Sequence, residues 1–159
     1  MMLIIGGAYE GKTEYAEAMG ISDICDGETA GFDEIKKHSC VKNYQLLVKR
    51  QLEAGLDPLI EAEKLFEECP DIVIISTEIG SGIVPIEKSE RIWRETVGKT
   101  CCFLAAKSEK VIRISCGIPS VINVPIAPTV PAMPAAGKMH IFAAAPSKSM
   151  TVREATFAF

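Results

Sequence analysis

Histidine is scarce in this chain, aromatic residues are few, and basic residues are in the minority. Of 159 residues only His38 and His140 are histidines. Neither lies near a cysteine pair of ligand spacing, and no C-x-x-C occurs, which argues against a zinc site or dithiol redox chemistry. Lys and Arg number 17 against 21 Asp and Glu, for a formal net charge of −4. Without a basic excess there is no electrostatic drive toward DNA or RNA, and no nucleic-acid partner is expected. No apolar run reaches the roughly 18–20 residues that cross a bilayer, so no membrane span is expected. A basic leader followed by an apolar segment and a cleavage site is also lacking, and the expected location is cytoplasmic.

Disorder is excluded by what is present: 48% of residues are hydrophobic and 24% charged, an ordinary balance for one globular domain. Cys25, Cys40, Cys69, Cys101, Cys102 and Cys116 carry no disulfide signature in a chain read as cytosolic. Several sit in apolar runs, so they are expected to be reduced packing residues.

The hydrophobic pattern is that of an α/β protein. Met2 to Ile5 is a short continuous apolar run stopped by glycines, the mark of a buried parallel strand. A short helix is predicted over 12–19, with Gly20 just past its end. Ile24-Cys25-Asp26 is the only strand-like stretch in the polar interval that follows. Apolar residues at helical spacing predict a helix over 41–54 and another from Pro58 to Cys69. The run 72–77, β-branched and unalternating up to Ser76, predicts a central strand covered on both faces. A helix over 89–107 and a strand over 111–115 complete the pattern. Strands separated by helices imply a parallel sheet flanked by helices in a single small domain, residues 1–123. Pro125, Pro128, Pro131 and Pro134 recur every third residue, the repeat of polyproline II. Residues 124–159 are read as a Pro-rich extension with one candidate strand over 139–144.

The first loop carries the chemistry. Gly6-Gly7-Ala8-Tyr9-Glu10-Gly11-Lys12-Thr13 fits G-x-x-x-x-G-K-[ST] at every fixed position, with a predicted strand before it and a predicted helix after. Glycines let backbone N–H groups turn inward around phosphate oxygens. Gly6, Gly7, Ala8, Tyr9, Glu10 and Gly11 are therefore candidate nucleotide-binding residues. Lys12 would reach the outer phosphates, and the Thr13 hydroxyl would take a place on Mg²⁺. The competing reading is a Gly-rich turn with an exposed lysine. A metal-holding acid is also required, and two candidates end strand-like stretches, Asp26 and Glu78. Lys12, Asp26 and Glu78 are the candidate catalytic residues, and Thr13 and Asp26 the candidate metal ligands.

A second string, Thr77 to Pro85 (TEIGSGIVP), places an acid and two glycines at a strand end. Together with the first loop it resembles the adenosylcobinamide kinase/adenosylcobinamide-phosphate guanylyltransferase family of cobalamin biosynthesis. That resemblance rests on Gly6 to Thr13, Glu78 to Pro85, Arg91, Arg94 and Gly98, Leu104-Ala105, and Gly117-Ile118. It implies a P-loop NTPase-like fold, ATP or GTP with Mg²⁺, a corrinoid substrate and a homo-oligomer. The implied reaction is phosphorylation of adenosylcobinamide, followed in the family by transfer of GMP through a histidine. The interval from Thr13 to Asp26 contains no histidine, and that role is not carried over to His38. The alternative function is a nucleotide-binding module without transferase activity. Arg91 and Arg94 would either neutralise transferring phosphate or form a solvated helix face.

Overall fold

Residues 2–6 make the centre of the sheet because their side chains are apolar on both sides of the pleat. The computed structural model describes residues 1–122, which belong to one compact unit. The Pro-rich segment and the candidate strand over 139–144 lie outside the described residues.

Strand β1 (Met2–Gly6) leads through the first loop into α1 (Lys12–Ala18). Strands β2 (Ile24–Asp26) and β3 (Cys40–Lys42) follow, then α2 (Tyr44–Glu53), α3 (Pro58–Glu68) and β4 (Val73–Thr77). Helix α4 (Lys88–Lys107) leads to β5 (Lys110–Ser115) and β6 (Ile118–Val121). The sheet order is β2-β3-β4-β1-β5-β6. The first five strands run parallel and β6 pairs antiparallel with β5. The result is a P-loop NTPase-like α/β fold with four helices around a six-stranded sheet.

Alternation along each strand builds two cores. Leu3, Ile74 and Val111 point to the face covered by Tyr44, Leu47 and Val48 of α2, Ala62 and Leu65 of α3, and Val97 and Leu104 of α4. Ile4, Ile75, Ile112 and Ile114 point to the other face with Ala16 of α1. Side chains in contact on both faces explain why these strands read as continuous apolar runs.

Helix α3 starts where the sequence predicts, with Pro58 in the first turn and the Asp57 side chain accepting from Leu59 N–H at 2.9 Å. The predicted helix over 41–54 is corrected at its start. Cys40–Lys42 is instead a strand, with Val41 paired to Ile74, and Asn43 at φ 54 turns the chain into α2. A helical start would leave that side of β4 unpaired, and Asn tolerates the left-handed conformation the corner needs. The second correction concerns Gly117-Ile118, which the resemblance puts at the end of a terminal strand. Cys116 at φ 52 and Gly117 at φ 77 form a two-residue hairpin turn of the kind that needs positive φ at both positions. Ile118 begins β6.

Candidate active site

The chain leaves β1 by α1 on one face of the sheet and leaves β4 by α4 on the other. The crevice between the carboxyl ends of these two neighbours is therefore the topological switch point, where ligands bind in open α/β sheets. Two motifs meet there. The loop 7–11 follows β1, and Glu78 follows β4, its N–H donating to the Gly6 carbonyl at 2.9 Å.

The loop is held from three sides. A Cβ on Gly6 would strike the Ile114 carbonyl, so β5 excludes any larger residue at the loop's first position. The Gly117 N–H donates to the Glu10 carbonyl at 3.1 Å, so the β5–β6 turn braces the loop from behind. Inside it, Gly7 N–H donates to a Glu10 carboxylate oxygen at 2.6 Å, and Lys12 Nζ donates to the Gly7 carbonyl. Tyr9 takes φ 60 and Gly11 φ 83, and the Tyr9 ring is fully exposed. Lys12 is 8% exposed, so its side chain lies along the loop rather than out in solvent. Burial lowers its pKa from the ordinary lysine value, against the raising pull of Glu10 and Glu14.

The two candidate acids are placed differently. Glu78 adjoins the loop, and its carboxylate accepts from Arg113 Nη2 at 2.9 Å. Asp26 ends β2 on the same sheet edge but three strands from β1, about 14 Å at the usual strand spacing. Its carboxylate accepts from Glu28 N–H and Asn43 Nδ2, each at 3.0 Å, and pairs with Lys42. Burial pushes the Asp26 carboxyl up, but these hydrogen bonds and Lys42 outweigh it and its pKa is lowered. Asp26 thus fastens the corner leading into α2, and the structure does not bring it to the loop.

Thr13 opens α1 beside Lys12. Among the described residues, no group of three or more His, Cys, Asp and Glu side chains is arranged to hold a metal ion. With the Glu10 carboxylate turned back on Gly7 N–H, the Thr13 hydroxyl and the Glu78 carboxylate suit an ion that brings most of its ligands as phosphate and water, as Mg²⁺ does.

Arg91 lies on an exposed helix face and Arg94 is half-buried, and both bind the neighbouring loop. Arg91 donates to the carbonyls of Pro85 and Ile86, and Arg94 to those of Gly80 and Ile83. They staple the 79–86 loop to α4; Ile79 packs inward against the core, while Ile83 and Ile86 stand 96% and 92% exposed. His38 Nδ1 lies 2.6 Å from an Asp23 carboxylate oxygen, and this hydrogen bond, with a second from Ser39 N–H, lowers the Asp23 pKa. The pair precedes β2 and β3, at the edge of the sheet opposite the loop.

Sequence reasoning missed Arg113, Gln45 and the Cys116-Gly117 turn. A lone arginine inside the apolar run of β5 was the available sign of the first. Gln45, which accepts from Thr77 N–H at 2.9 Å, gave no sign, because its partner is a backbone group of a distant strand.

Fold and loop together define a P-loop NTPase-like α/β protein. Residues 35–122 match the family model described as cobinamide kinase / cobinamide phosphate guanyltransferase. The matched stretch covers more than half of the chain, and the chain belongs to that family, whose enzymes are transferases of cobalamin biosynthesis. It takes in Glu78 to Pro85, Arg91, Arg94 and the β5–β6 turn, and begins after the 6–13 loop. No curated protein matches the chain. Among the described residues, no helix is long and apolar enough to cross a membrane.

Proposed function

We propose that the chain phosphorylates adenosylcobinamide with ATP or GTP. The observation that carries this reading is the meeting of a complete G-x-x-x-x-G-K-T loop with Glu78 at the switch point, in a chain of this family. Phosphoryl transfer asks the protein mainly for positioning and charge stabilisation. Backbone amides of Tyr9 to Thr13 would hold the phosphates. Lys12 would exchange its bond to the Gly7 carbonyl for the outer phosphates. Mg²⁺ carried with the nucleotide would spread the charge of those phosphates, held by Thr13 and Glu78. The exposed Ile83, Val84 and Ile86 would offer the corrinoid an apolar surface beside Glu78. We place the activity in the cytoplasm, the location expected from the sequence, and in a homo-oligomer, as the family resemblance implies.

Incubation with ATP or GTP and adenosylcobinamide, followed by mass analysis of the corrinoid, tests the proposal. A gain of one phosphate that disappears in Lys12→Ala is expected; wild-type protein that binds nucleotide and leaves the corrinoid unchanged counts against it. One observation favours the second reading, a nucleotide-binding module without transfer. The Glu78 carboxylate is paired with Arg113 rather than free for a metal. In that case nucleotide raises the unfolding temperature and no phosphorylated corrinoid forms.

A further inference from the structure

Glu10 is the only acidic residue between Gly6 and Thr13, and residues 1–20 hold one basic side chain, Lys12, against the three acids Glu10, Glu14 and Glu17. The Glu10 carboxylate does not turn to solvent. It folds back on the start of the loop, accepting from Gly7 N–H at 2.6 Å, and a Cβ on Gly7 would come within 3.0 Å of it. The loop that is to hold an anion therefore keeps a carboxylate against its own backbone. Arg113, a cation of the neighbouring strand, is committed to Glu78.

We infer that Glu10 is a specificity-determining residue that sets the loop against bare polyphosphate and in favour of a nucleotide carrying a divalent cation on its phosphates. The inference rests on the phosphate-loop reading above. Repulsion from a fixed carboxylate grows with the net charge of the ligand. A metal-free nucleoside triphosphate meets that repulsion in full, and a metal complex with two fewer negative charges meets about half of it. The carboxylate also braces the loop through Gly7, so charge and brace must be separated.

Glu10→Gln keeps an acceptor for Gly7 N–H and removes the charge, whereas Glu10→Ala removes both. Dissociation constants for ATP and GTP are measured by calorimetry on the full chain, in excess EDTA and in excess Mg²⁺. Both variants are expected to bind metal-free nucleotide about tenfold more tightly than wild type, and the metal complex only about threefold more tightly. The preference for the metal complex thus shrinks. Equal changes under the two conditions, or no tightening in EDTA, overturn the inference. So does weaker binding in Glu10→Ala with Glu10→Gln unchanged, which is the result for a carboxylate that only braces. Wild-type protein that binds no nucleotide under either condition fails the phosphate-loop reading itself, and this inference with it.

Discussion

Asp26 and Glu78 each end a parallel strand, and only their neighbours separate their roles. Glu78→Gln is expected to reduce corrinoid phosphorylation at least tenfold with little loss of stability, since its partner Arg113 is half exposed and an exposed pair contributes only ~0–1 kcal/mol. Asp26→Asn is expected to spare turnover and lower stability instead. The sign of its pH dependence follows from its lowered pKa. A carboxyl with a folded pKa below its unfolded value of about 3.9 stabilises the fold fully above that value. The contribution fades as pH falls through the folded pKa. Urea unfolding should therefore separate wild type from Asp26→Asn at pH 6, and the gap should narrow at pH 3. A gap that widened on acidification would refute the assignment. From the sequence both acids looked alike, because the distance between strand ends depends on sheet order, which no local pattern records.

At the scale of elements, the β5–β6 hairpin supports the loop it touches. Gly117 at φ 77 occupies a conformation that costs other residues roughly 1–2 kcal/mol. Gly117→Ala is accordingly expected to lower the unfolding free energy by about that amount. Because Gly117 N–H holds the Glu10 carbonyl, the same change should weaken nucleotide binding; unaltered affinity in a destabilised variant would show that the brace does not reach the site. Elements whose own residues fix them were readable in advance. Strand β1 shows as an apolar run, α3 by its Asp57-Pro58 start, and α4 by the spacing of Trp93, Val97, Cys101 and Leu104. Strand β3 was not, because three residues ahead of a helix carry too little pattern, and Val41 suits the helical period as well as the strand. Strand β6 was missed for another reason: its four residues are all exposed, so it has no buried face to betray it.

Across the whole molecule, the sheet keeps the two histidine-relevant regions apart. The G-x-x-x-x-G-K-T loop lies at the carboxyl ends of the strands and His38 at the amino end of β3. In this arrangement His38 does not stand against a nucleotide held in the loop of the same chain. Incubation with labelled GTP is expected to leave no acid-labile label that His38→Ala removes. A His38-dependent label would mean that the group crosses between chains. The fold class was legible because alternating helices and apolar strands leave few topologies open. The site was legible only in part: the loop is contiguous in sequence, whereas its supports from β4, β5 and the last hairpin come from residues more than sixty positions away.

The hydrogen bond from Glu78 N–H to the Gly6 carbonyl ties the stretch that would grip nucleotide to the stretch that would greet the acceptor. Where two binding events are coupled, linkage requires the influence to run equally both ways. If corrinoid stiffens the one segment, it should sharpen the hold of the other on nucleotide, and nucleotide should return the favour by the same factor. Titrating each ligand with and without the other would reveal that mutual enhancement as a matched pair of ratios.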